Sequence, residues 1–372
     1  MKDSVLIFDK SITGHNLEYV NHLYGRAAEK QDKQFVFAIP ETFSDRKDKL
    51  VWPEAQNASF YFLNKNDCKS NGGLRQVILD VLLLRKLIRS YNVKTIFFIN
   101  WISMLVILLL PLNVKVSGIS YNIYLYNWHS WSLISKMKSI FKTLMLVLCP
   151  QVSRIFVLND RLAAAYLNKL YHTQKFAFLP DPINIPQYEP KNIRKEMGIA
   201  DNKKLFLLFG TLSERKGTLC VLRSLLLLNQ EEKDKYYFVL AGSVDERIKE
   251  EFYNLYAKIK QTSIITVFDK FCDFELIADL CYSCDTILIP YLQTSNSSGV
   301  VGYAAYYQKT VIAPASGLIG RIVRNYSLGH RLIEITPEKL RAAYAKQISL
   351  GSKSLEYIHT NDIKTFTNTI LS

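Results

Sequence analysis

Apolar positions along this chain fall into two rhythms. Short, nearly unbroken apolar runs alternate with longer stretches in which apolar residues recur every three or four positions. The first rhythm predicts strands buried on both faces, and the second predicts amphipathic helices. Residues 204–327 alternate most clearly. Strands are expected at KLFLLFG (204–210), YYFVLAG (236–242), IITVFDKF (264–271), DTILIPY (285–291) and TVIAP (310–314). Helices are expected at 218–230, 245–261, 273–284, 298–308 and 317–327. Such an alternation predicts a parallel sheet with helices on both faces.

The first half repeats the scheme less regularly. Strands are expected at 4–8, 34–40, 95–100, 114–120 and 154–159, with helices at 17–30, 76–90, 132–148 and 160–170. The run WISMLVILLLPL, 101–112, is shorter than the roughly 20 residues that cross a bilayer and predicts a buried helix. Four prolines in LPDPINIPQYEP, 179–190, predict a linker. The expectation is an α/β chain of two tandem Rossmann-like domains with parallel sheets, 1–180 and 181–351, around a cleft. A C-terminal helix over about 352–372 would pack back on the first domain. A chain of 372 residues is long enough for two such cores.

Charge adds a direction. The net charge is +14, and no acidic residue stands between Asp80 and Asp160, a stretch that holds nine lysines and arginines. A one-sign region of this kind attracts phosphates, whether of a nucleotide, an anionic lipid or a nucleic acid, or is simply a solvated basic face. No nucleic-acid motif accompanies it, so no nucleic-acid partner is expected. The first residues, MKDSVLIFDK, contain no apolar leader, which predicts a cytoplasmic chain with free thiols. Cys281 and Cys284 form a lone C-x-x-C pair without a second pair or a nearby histidine, and no metal is expected. Neither half has G-x-G-x-x-G after its first strand, and no Walker A sequence occurs, which weighs against dinucleotide and P-loop enzymes.

Ligands of open parallel sheets bind beyond the carboxyl ends of the strands. Two loops in the second half end strands there. GTLSERKG runs from Gly210, where a tight turn is expected, to Arg215 and Lys216 at the start of the next helix. Cations at a helix N-terminus oppose the macrodipole, and a bound anion would resolve the conflict; a solvated pair is the alternative. The second loop carries Ser295, Asn296, Ser297 and Ser298 before Gly299. One such residue suffices for an N-cap, whereas several hydroxyls and a glycine suit a phosphate cradle. In the first half, TGHN places Gly14 and His15 after the first strand, where His15 is a candidate base with Glu18 to orient it, or an exposed loop residue. Aromatics in SYNIYLYNWHSW, 120–131, suit sugar faces or core packing.

These loops resemble the GT-B glycosyltransferases, specifically the retaining family four (glycosyl transferases group 1). FGTLSERKG looks like that family's Gly-Arg-Leu…Lys-Gly loop, and GYAAYYQKTVIAP like its EAMACGKPVIAS. LPDPI matches its PNGVD, and PASGLIGRIV its Gly-Gly-x-x-Glu stretch. The likeness covers about 180–330. Three positions depart from it. Both carboxylates of the Glu-x7-Glu motif are replaced, by Ser295 and Tyr303. The loop arginine falls on Thr211, for which Arg215 is the candidate substitute, and the later glutamate falls on Gly320.

The resemblance implies a metal-independent hexosyltransferase-type enzyme without a cofactor. Its donor would be a nucleotide-diphosphate sugar and its acceptor a glycan or lipid-linked glycan, in surface polysaccharide or glycoconjugate synthesis, with retention. Arg215 and Lys216 would stabilise the leaving diphosphate, with Gly14, Gly210, Thr211, Ser295, Ser297, Ser298, Gly299 and Tyr303 around the donor. His15 would act as base only in an inverting reaction. Lys136, Lys138 and Lys142 would rest on an anionic membrane, giving a cytoplasmic protein peripheral on the inner face of the plasma membrane. The missing glutamates keep two alternatives open, a non-catalytic partner subunit or sugar-binding module of the same fold, and a nucleotide-sugar epimerase.

Overall fold

A computed structural model describes residues 3–11, 16–43, 52–68, 73–121, 123, 125, 132–183, 188–294 and 297–372. The chain divides into two compact units, Met1–Asp181 with Ile363–Ser372, and Pro182–Asp362.

Unit 1 holds β1 (Ser4–Phe8), α1 (Asn16–Glu29), β2 (Gln34–Pro40), β3 (Ala58–Leu63), α2 (Gly73–Ser90), β4 (Val93–Phe98), α3 (Met104–Leu108), β5 (Lys115–Ser120), α4 (Leu133–Leu148), β6 (Val152–Leu158), α5 (Arg161–Leu170) and β7 (Phe176–Leu179). Its seven strands are all parallel, in the order β3-β2-β1-β4-β5-β6-β7. Successive side chains of a strand point to opposite faces, and the core divides accordingly. Leu6, Phe8, Ile96 and Phe98 pack under α2, α3, α4 and α5. Val5, Ile7, Phe35, Phe37 and Phe97 pack under α1 and the last helix of the chain.

Unit 2 holds β8 (Lys204–Phe209), α6 (Thr218–Leu226), α7 (Gln230–Lys235), β9 (Tyr236–Ala241), α8 (Lys249–Lys260), β10 (Ile265–Phe268), α9 (Phe274–Ser283), β11 (Thr286–Leu288), α10 (Gly299–Tyr306), β12 (Thr310–Pro314), α11 (Gly317–Asn325), β13 (Gly329–Leu332), α12 (Pro337–Tyr344) and α13 (Ser354–Thr360). Its parallel sheet runs β10-β9-β8-β11-β12-β13. β8 and β11 are neighbours, so the two loops singled out above leave adjacent strand ends.

Three differences from the sequence expectations have physical causes. The segment at 101–112 is not a buried helix. Only Met104–Leu108 is helical, Pro111 follows closely, and Leu105, Leu109 and Leu112 are exposed. The helix expected at 218–230 stops at Leu226, and a capping box formed by Asn229 and Glu232 starts α7. The C-terminal stretch is two helices rather than one. α13 stays in unit 2, and α14 (Ile363–Leu371) belongs to unit 1. There Phe366 is fully buried with its ring 4.9 Å from Tyr19, and Arg26 and Lys30 bond Asn368 and the Leu371 carbonyl.

Candidate active site

The turn after β8 is built around a lysine that folds back. Gly210 has φ 87, a left-handed conformation that favours glycine. A β-carbon there would collide with the Lys216 ammonium, which donates to the Phe209 carbonyl at 3.3 Å. Glu214–Lys216 form a single 3-10 turn, and Gly217 (φ 72) caps the start of α6. A side chain at Gly217 would strike the Pro290 carbonyl, so this turn lies directly against the end of β11. The Leu292 N–H donates to the Arg215 carbonyl at 2.9 Å, tying the two loops together.

Tyr291 joins the charges to the serines. Its ring is buried, with the Arg215 guanidinium 5.4 Å and the Lys216 ammonium 5.7 Å from its centre. Its hydroxyl lies 3.1 Å from that of Ser298. Ser298 occupies the N-cap position of α10, yet its side chain makes no capping bond. Capping therefore does not account for that hydroxyl. N–H groups in the first turn of an α-helix lack intrahelical acceptors, so the Ser298–Gly299 end of α10 offers donors near two cations. The geometry suits an anion with several oxygens.

Around this cluster, Thr211 is exposed, and Ser297 is half-buried beside Ser298. Tyr303 sets its ring edge-on to Phe209 at 5.5 Å and stacks with Tyr307 at 6.5 Å. Gly320 is buried, and a β-carbon there would meet the Ala315 carbonyl. This backbone therefore has no room for the family's glutamate at that position. Ser295, like Gly14 and His15, lies outside the described residues. Among the described residues, no group of three or more His, Cys, Asp or Glu is placed to hold a metal ion.

Gly210→Ala tests the folded-back lysine. The new methyl group displaces the ammonium and strains the left-handed turn, which costs about 1 kcal/mol or more. We expect nucleoside diphosphate affinity, read by calorimetry, to fall, with a melting temperature only slightly lowered.

Unit 1 carries a second polar cluster that the sequence reading did not single out. Asp9, directly after β1, is buried and accepts bonds from the Asn16 amide at 2.7 Å, the Asn100 amide at 3.1 Å and the Ser11 N–H at 3.1 Å. Burial pushes its pKa up to about 6, against those bonds. Lys10 pairs with Asp80, which also accepts from Gln76. The Tyr121 hydroxyl is buried without a partner, and burial raises its pKa. Asn16 is the last residue of TGHN, so Asp9 and Asn100 hold one end of that loop. Glu18 stands near His22, where its charge partly offsets the burial that takes the imidazole down to about 4.

These two shifts act oppositely on stability. Between roughly pH 4 and 6, Asp9 binds more proton folded than unfolded, so its contribution falls as pH rises. His22 binds less proton folded than unfolded between about 4 and 6.5, so its contribution rises with pH. The pair largely cancels. We expect Asp9→Asn to unmask a stability that climbs from pH 4 to 6.5, and His22→Gln one that declines from pH 4 to 6. Denaturant melts of both variants across that range check it, and parallel profiles for the two would refute it.

No protein-family model matches the chain, and no curated protein matches its sequence. Solved structures do match. A glycosyltransferase from Rickettsia africae aligns with a TM-score of 0.68 at 14% identity, over 99% of this chain and 92% of that one. Sucrose-phosphate synthase from Thermosynechococcus elongatus aligns at 0.70 and 15%, over 99% and 97%. HepE of Anabaena, solved in complex with UDP and glucose, aligns at 0.68 and 13%, over 99% and 98%. The chain has the GT-B fold. At these identities the likeness is one of fold, and in this GT-B chain the site rests on its own residues.

Proposed function

We propose that the chain is a glycosyltransferase. It moves a sugar from a nucleotide-diphosphate sugar to a glycan or lipid-linked glycan, with retention, in surface polysaccharide or glycoconjugate synthesis. One observation carries the reading: Tyr291 holds Arg215, Lys216 and Ser298 in one cluster at adjacent strand ends of a parallel sheet. That is where open α/β sheets take ligands. HepE, of the same fold, is solved with UDP and with UDP-glucose.

In this reading the two cations neutralise charge that grows on the leaving diphosphate as the glycosidic bond breaks. The bond electrons pass to the β-phosphate oxygen. That oxygen takes the acceptor's proton on the same face, so the protein supplies no base. Tyr303, edge-on to the buried Phe209 and stacked with Tyr307, offers a half-buried ring against which the nucleoside packs in this reading. In this reading the chain works in a reducing, cytoplasmic compartment.

A screen of nucleotide sugars for thermal stabilisation identifies the donor. The anomeric configuration of the product, read by NMR against that of the donor, then tests retention. An inverted product would overturn the retaining course. A second reading, a sugar-binding subunit without turnover, is favoured by Tyr303 and by the blocked Gly320. Stabilisation by a nucleotide sugar without product, over a panel of acceptors, would select it.

A further inference from the structure

Unit 1 carries a groove that the proposed reaction leaves unused. It lies between α1 and α14, the first and last helices of the unit, and holds about 430 Å3 of open space. Sites for small molecules commonly have this volume. His22, Gly25, Arg26 and Glu29 recur at i, i+3, i+4 and i+7, so one face of α1 forms one wall. Ile363 and Lys364, at the start of α14, line the other side. Gly25 is the telling residue. A glycine inside a helix is less stable than an alanine, and packing does not require one here. A β-carbon at Gly25 would meet only Pro53, at 4.0 Å, an ordinary contact. What a longer side chain would fill is the groove itself.

The lining selects a chemistry. Lys364 is exposed and, among the described residues, makes no ion pair. Arg26 donates to Asn368 and to Glu29, and a guanidinium has five N–H groups, so most of them remain open to a ligand. His22 is neutral at pH 7, since burial takes it down to about 4, and its Nε2 is buried without a partner. A neutral imidazole nitrogen and the Glu29 carboxylate accept bonds. The cations therefore match an anion, and the acceptors match hydroxyl groups. A small hydroxylated anion supplies both. A protein partner fits poorly, because among the described residues α1 and α14 expose no large apolar side chain. We propose that the α1–α14 groove of unit 1 binds a small sugar-derived anion, with its charge on Arg26 and Lys364 and its hydroxyls toward Glu29 and His22. A sugar acid and a sugar phosphate share this chemistry and differ in the charged group. Bound there, the ligand bridges the two helices and sets how firmly α14 stays docked. The Tyr291 cluster belongs to unit 2, so the groove is a separate site and stands independently of the transferase reading.

Calorimetry of the full chain tests the idea, with glucuronate, glucose 6-phosphate and neutral glucose as the three additions. We expect at least one anion to raise the unit 1 transition by roughly 5–10 °C at a hundred times its dissociation constant, and glucose to leave it in place. Whichever anion does so identifies the charged group. Lys364→Gln should weaken that binding about tenfold, the effect of removing one charged hydrogen bond. Gly25→Leu should abolish it by filling the groove, whereas Gly25→Ala leaves the space open and should keep it. Lys364 is exposed, so its variant decides the matter if Gly25→Leu does not fold. No shift with either anion, an equal shift with glucose, or a shift that survives the substitutions at both Lys364 and Gly25 overturns the proposal. So does a shift confined to the unit 2 transition, since the anion would then sit in that unit instead.

Discussion

Lys216→Ala is expected to lower kcat by about 10²–10³ with the donor that the stabilisation screen selects, a loss of roughly 2.7–4 kcal/mol of transition-state stabilisation. Among the described residues, the ammonium is held by one carbonyl at 3.3 Å and the face of Tyr291. Neither is an ion pair that the fold requires, so the melting temperature should barely move. Arg215→Ala should act in the same direction. Both cations share one ring and, in the proposed reaction, one diphosphate, so the double variant should lose less than the two single losses combined. Steady-state kinetics of the three variants decide the matter. Near-native turnover in both single variants would remove the cluster from the reaction.

Phe366→Ala is expected to destabilise unit 1 by about 3–5 kcal/mol, as truncation of fully buried phenylalanines generally does. For a unit of this size that lowers its unfolding midpoint by roughly 6–20 °C. The ring packs on Tyr19 in the core that also holds Val20 and Leu23. Little there can collapse to fill the space, because these neighbours are fixed by the sheet beneath. Calorimetry should resolve a shifted unit 1 transition beside an unshifted one for unit 2. A uniform small shift of both would contradict the assignment of α14 to unit 1.

Central strands were legible in the sequence, and of the four edge strands only β10 was. The central strands expected in both halves are largely buried. The strands missed are β3, β7 and β13, and each lies at a sheet edge. Edge strands keep partly exposed faces, so AlaSerPhe and GlyHisArg openings carry no continuous apolar run. On α4 the pattern does not tell which apolar residues are exposed, because an apolar residue reads alike whether it faces a core or solvent. At the site, Arg215, Lys216 and Ser298 were recognisable from their types and placement. Tyr291 was not. It reads as the last residue of an apolar strand, and only the folded chain puts its two ends against cations and a serine. Asp9 was equally silent, since a single carboxylate after a strand has no pattern until Asn16 and Asn100 converge on it.

The placement of α14 sets an order of events on the ribosome. Unit 1 begins the chain, but its final helix follows all 181 residues of Pro182–Asp362. At synthesis rates of about 5–20 residues per second, that interval lasts roughly 10–35 s. Throughout it, Tyr19, Val20 and Leu23 wait without the helix that covers them. The first-made half is therefore the last to be completed. Unit 2, contiguous in the chain, can close before it, and a nascent first half is the natural client for a chaperone.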